Sequence, residues 1–102
     1  NATVAFVHFD GVDDLVKNRG ADVVAAGLDE LITCIQRAAE LSGVTFLGTD
    51  IDHDGGKVIL VAGAPNALGD DEGRMLIALR SILDAETDVP VRIAINRATP
   101  PR

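Results

Sequence analysis

The chain has 102 residues, which is enough for one domain and too few for two. Apolar residues make up 47% and charged residues 25%, a globular balance that excludes disorder and low-complexity repeats. Nine basic residues against sixteen acidic ones leave a net charge of −7, and there is neither Trp nor Tyr; without a basic cluster or stacking aromatics, nucleic acid and anionic membrane surfaces are poor partners.

No apolar run approaches the ~20 residues of a membrane span. A single cysteine, Cys34, excludes an internal disulfide, and the expected location is the cytoplasm. The chain opens on Asn1-Ala2, read as vector residues. The domain is expected over 3–97, with a tail over 98–102.

In chain order, Thr3–Phe9 is apolar on both alternating faces and predicts a buried central strand. Asp10-Gly11 ends it, and Val12–Asn18 predicts a short helical turn that Gly20 breaks. Ala21–Leu41 predicts a long helix whose inward stripe is Val24, Leu28, Leu31, Ile35, Ala38 and Ala39. Ser42-Gly43 stops it. Val44–Leu47 begins a second strand and Val58–Ala62 is a third, joined by a glycine-rich turn over Gly48–Lys57. Gly63–Gly69, with Pro65, is expected as a loop. Asp70, Asp71 and Glu72 suit the N-terminus of a second long helix, because carboxylates favour the positive dipole end. In that helix Leu76, Leu79 and Leu83 are expected inward, with Met75 and Ile82 flanking. After a turn at Asp88-Val89-Pro90, Val91–Ile95 alternates as a half-exposed edge strand.

The order β-α-β-β-α-β is that of an α+β, ferredoxin-like fold: a four-stranded antiparallel sheet with two main helices on one face. Strands 1 and 3 are central in that fold, and they are the two most apolar here. Because both are apolar on both faces, the face without helices is expected to need a cover from a partner chain or further sequence. The alternative is that short side chains such as Ala5, Val7 and Val61 tolerate partial exposure.

The same fold brings the end of strand 1 beside the start of strand 3, so Asp10 is expected near Asp54, Gly55, Gly56 and Lys57, with Asp50 and Asp52 further along the hairpin. Convergent carboxylates at strand ends suit a hard cation such as Mg²⁺, which takes oxygen ligands and can carry a phosphate-bearing ligand. The competing reading is a solvated acidic hairpin in which Lys57 pairs with Asp10 or Asp54. Asp50-x-Asp52-x-Asp54-Gly55 also matches the start of a Ca²⁺ loop, but its twelfth position is Val61, which cannot close such a site. His8 is expected to be structural, and Cys34 a small, partly buried apolar group. Gly48, Gly55, Gly56 and Gly63 read as turn glycines.

Two stretches resemble the class III nucleotidyl cyclase homology domain. Val4–Asp10 followed by Gly11–Leu15 is similar to the family's first strand, which ends in a metal-binding Asp and a Gly-Phe-Thr. Gly55–Pro65 is similar to its Gly-Asp, apolar strand and Phe-Gly-Ala-Pro. Val91–Asn96 is similar to the strand before the family's Gly-rich segment. The resemblance implies a head-to-tail dimer, formed by two copies or with a second cyclase-like domain. It also implies ATP or GTP at the interface and two divalent ions, Mg²⁺ or Mn²⁺, held by two Asp. The ions help a 3′-hydroxyl attack the α-phosphate, which expels pyrophosphate. A Lys reads the base, and an Asn and an Arg stabilise the transition state.

Position by position, Asp10 matches the first metal Asp, Gly56 stands where the second belongs, and Asp52 stands where the Lys belongs. Asp54 is a candidate to substitute as a ligand. The implied site is therefore Asp10 and Asp54 for metal and Asp52, Gly55 and Gly56 for substrate, with no catalytic side chain, because the Asn and Arg would lie past Arg102. An acidic Asp52 sets negative charge beside a polyphosphate, and a lost ligand and lost transition-state donors remove charge stabilisation. Three readings follow: a degenerate cyclase-like domain, inactive alone and acting in dimerisation or regulation; the first part of an active cyclase domain; or a ferredoxin-like small-molecule sensor that needs no divalent metal.

Overall fold

Every second residue of the first strand is buried, and that alternation sets the layering of the molecule. The structure, a computed structural model, describes residues 2–63, 70–85 and 89–98. Its elements are β1 (Ala2–Phe9), α1 (Val12–Arg19), α2 (Ala21–Ser42), β2 (Thr45–Ile51), β3 (Gly56–Ala62), α3 (Asp71–Asp84) and β4 (Val91–Ala98). The strands form one sheet in the order β2-β3-β1-β4, with every neighbouring pair antiparallel. This is the expected ferredoxin-like order, with β1 and β3 in the centre.

The core lies between the sheet and the helices α2 and α3. Ala5, Val7 and Phe9 from β1 and Val58, Leu60 and Ala62 from β3 meet Leu31 and Ile35 of α2 and Met75, Leu79 and Ile82 of α3. Each large apolar side chain fully buried there contributes about 1.5–3 kcal/mol over its exposed state. The α2 stripe is as the periodicity predicts, with Leu28 partly buried and Gly27 added to it. Gly43 ends the helix in the left-handed region at φ 70°, donating its N–H back to Ala39 and Glu40 carbonyls.

Several boundaries or faces differ from expectation. Ala2, read as a vector residue, and Ala98, read as tail, pair with each other in the β1–β4 ladder, so the sheet extends one residue past each end of the expected 3–97 domain, and β4 runs to Ala98 rather than ending at Ile95. β2 runs on to Ile51 and β3 starts at Gly56, so the turn is confined to residues 52–55 rather than spanning 48–57. A bulge between Phe46 and Gly48 leaves Leu47 63% exposed. In α3 the buried residues are Met75, Ala78, Leu79 and Ile82, whereas Leu76 and Leu83 are 57% and 56% exposed. Both stripes are apolar at helical spacing, so periodicity alone cannot choose between them. Packing on β1 and β3 rather than on the edge strand β4 decides it. The expected loop over 64–69, Asp88 of the last turn and residues 99–102 lie outside the described residues.

Ala5 and Val7 belong to the helix-covered face and are fully buried. The open face of the sheet is made instead by Val4, Phe6 and His8 of β1 and by Lys57, Ile59 and Val61, their register partners in β3. Lys57 Nζ sits 5.1 Å from the centroid of the Phe6 ring, and the His8 ring lies 6.2 Å from it. The apolar row is thus partly roofed by its own neighbours through a cation–π contact. Among the described residues no helix is long and apolar enough to cross a membrane.

Candidate functional site

The site is built where β1 ends and the β2–β3 turn folds against it. Phe9 pairs with Gly56 in the ladder, and the chain turns directly from Asp10 and Gly11 into α1. The turn itself is held by Asp52. Its Oδ1 accepts the N–H of Asp54 at 3.0 Å and of Gly55 at 2.9 Å, the local bonding that makes Asp a turn former. The Asp52 N–H donates to the Gly55 carbonyl at 2.9 Å and closes the same turn.

Asp54 reaches the other way. Its carbonyl accepts the N–H of Val12 at 2.9 Å. Its carboxylate accepts the N–H of Gly11 at 3.2 Å on Oδ2 and the N–H of Asp13 at 3.1 Å on Oδ1. The N-cap position of α1 is Gly11, which has no side chain to do this. A residue some forty positions away therefore satisfies N–H groups that a helix start leaves orphaned, with its negative charge at the positive dipole end.

The two glycines are sterically required. A Cβ on Gly55 would run into the Phe9 carbonyl oxygen and stand 2.7 Å from Asp10 Cα. A Cβ on Gly56 would stand 2.7 Å from the Asp50 carbonyl oxygen and 3.0 Å from Phe9 Cζ. The position where the resemblance implies a second metal Asp thus has no room for a side chain unless the hairpin moves.

Asp10 stands more open. Its Oδ2 accepts from Arg92 Nη2 at 2.8 Å, with the two side chains 60% and 71% exposed respectively. Arg92 lies opposite His8 in the β1–β4 register. The expected partner Lys57 is instead over Phe6.

An open cavity of about 510 Å³ brings these groups together: Asp10, Asp52, Asp54, Gly55 and Gly56 all line it, with Asp50, His53, Lys57 and Arg92. All five residues singled out from the sequence meet in this one place. Arg92 was missed. Its signal was present in the alternation of β4, which sets Arg92 on the face opposite Val91 and Ile93, but its place beside the end of β1 follows only from the strand pairing.

The donor set decides whether a divalent cation fits. Among the described residues no group of three or more His, Cys, Asp or Glu converges as a metal shell. At the position of the second implied carboxylate Gly56 offers no oxygen ligand from a side chain, and its candidate substitute Asp54 has both oxygens engaged by backbone donors. Asp10, the remaining match, already accepts from Arg92, so these residues do not fit the two-carboxylate pair that the resemblance implies.

Comparison with solved structures agrees with the fold. The guanylyl cyclase domain of the RhoGC fusion protein from the aquatic fungus Blastocladiella emersonii superposes with a TM-score of 0.72 at 20% identity, over 92% of this chain and 55% of that one. The guanylate cyclase domain of RhGC from Catenaria anguillulae, solved in complex with GTP, gives 0.70 at 19% identity, over 92% and 54%. The adenylyl cyclase CyaB from P. aeruginosa gives 0.61 at 16%, over 92% and 54%. No family model and no curated protein matches the chain. The chain therefore has the fold of class III guanylyl and adenylyl cyclase catalytic domains. It spans a little over half the length of these solved chains.

Proposed function

We propose that this chain is a degenerate or incomplete class III nucleotidyl cyclase-like domain that does not form cyclic nucleotide alone and acts in dimerisation or regulation. The observation that carries the reading is the state of the second carboxylate. The four-stranded sheet has the cyclase-like fold, yet Gly56 has no room for a side chain and Asp54 is held by the start of α1. A site whose one remaining matched carboxylate, Asp10, is paired with Arg92 neutralises a triphosphate poorly, and Asp52 adds negative charge where a base-reading cation would stand. The partner in this reading is a second copy or another cyclase-like domain, this chain alone holds neither ATP nor GTP with Mg²⁺ or Mn²⁺, and the setting is cytoplasmic.

The test is turnover. The purified chain, incubated with ATP or GTP and Mn²⁺ or Mg²⁺, is expected to release no cyclic nucleotide or pyrophosphate above a blank. Turnover that Asp10→Ala abolishes would overturn the reading.

The length comparison supports a second reading. Because the chain spans about half of the matched cyclase domains, it is alternatively the first part of an active catalytic domain whose remainder supplies the transition-state Asn and Arg. That reading expects a Gly-rich segment, an Asn and an Arg in the parent sequence past Arg102, and activity that returns when those residues are included.

A further inference from the structure

We propose that Asp54 is a latch that fastens the β2–β3 turn to the start of α1, and that it is not a cation ligand. The inference goes beyond the cyclase-like reading and does not need it, because it rests on contacts within this chain.

Three hydrogen bonds make the latch, and all run from the N-cap and first turn of α1 to one residue. The N–H groups of Gly11 and Asp13 meet the two carboxylate oxygens, and the N–H of Val12 meets the Asp54 carbonyl. The consecutive N–H groups that open α1 are therefore all directed at Asp54. Bonds from backbone N–H to an ionised carboxylate are among the stronger ones in proteins. A cation approaching Asp54 would have to share or displace them, and α1 has no cap of its own to replace the loss.

The glycines show why the latch is placed here. Gly55 and Gly56 let the turn approach the end of β1 more closely than any side chain would allow. Asp52 fixes the turn so that Asp54 points at α1. Turn, strand end and helix start form one unit in which the Asp54 charge is answered inside the protein.

The experiment is a thermal melt of the full chain and of Asp54→Ala and Asp54→Asn, each in EDTA and in millimolar Mn²⁺. Losing the cap in Asp54→Ala should lower the midpoint by about 4–8 °C, the shift that ~1 kcal/mol produces in a domain of this size. Asp54→Asn keeps one acceptor oxygen and should lose less. The change in midpoint on adding Mn²⁺ should be the same in wild type and Asp54→Asn, whatever its size. An Asp54→Ala midpoint equal to wild type would overturn the latch. So would a Mn²⁺-dependent rise in wild type that Asp54→Asn removes. If Asp54→Ala does not fold, the Asn variant still decides the matter. Turnover of nucleotide by the chain would overturn the functional reading without touching this one, so the two fail separately.

Discussion

The end of the sheet at the β2–β3 turn and the flank where α3 passes β4 are built in opposite ways. At the turn, backbone approaches backbone across two glycines, and Asp52 and Asp54 are held by donors two to forty-three residues away. On the flank, Leu76, Leu83 and Ile95 are 57%, 56% and 43% exposed. There an open groove of about 450 Å³ is lined by Thr3, Glu72, Met75, Leu76 and Ile95. The first region is specified atom by atom and the second is loosely filled. The contrast teaches that the pocket where the resemblance places nucleotide chemistry is here tightly engaged in holding the fold together, while the apolar flank tolerates change.

The sharpest way to break that comparison is Gly55→Ala. The added Cβ meets the backbone of Phe9, which the β1–β3 ladder holds in place, and of Asp10 beside it, so a loss of about 3 kcal/mol or more is expected in urea unfolding, at the upper end for overpacking. A loss below 1 kcal/mol, on the order of an ordinary surface change, would mean that the turn is as tolerant as the flank.

The next effect separates the two faces of α3. Leu79→Ala should cost about 2–5 kcal/mol, because Leu79 is 4% exposed in the core. Leu76→Ala, three residues away, should cost less than about 1 kcal/mol. Equal costs would restore the helix face expected from the sequence.

The smallest effect is at Arg92. Its pair with Asp10 is mostly solvated, so Arg92→Ala should cost only ~0.2–1 kcal/mol and lose even that in high salt. A larger, salt-insensitive loss would show that Arg92 is part of the tightly specified region and not its rim.

The central sheet was legible because β1 and β3 have no polar alternation, as a central position requires, and α2 because its stripe holds one phase from Val24 to Ala39, about four turns. The order of strands followed from the order of elements. What escaped the sequence was chosen by tertiary contact. Two apolar stripes compete on α3, and only the sheet beneath selects Met75 and Leu79 over Leu76 and Leu83. The five site residues came together as expected in one cavity. Their partners did not, because an Asp gives no local sign of whether it will meet a cation or, as Asp54 does, a distant helix start. Arg92 was hidden for the same reason: its partner Asp10 is 82 residues away.

The most direct test of the account is nucleotide binding, which registers even where a site is too poor to turn substrate over. A ligand that binds only the folded state raises the melting midpoint by mass action. The chain, melted with Mn²⁺ and millimolar ATP or GTP beside Asp10→Asn, should show no nucleotide-dependent rise in either form. A metal-dependent rise with nucleotide that Asp10→Asn abolishes would contradict the account and establish a working metal–nucleotide site in this chain.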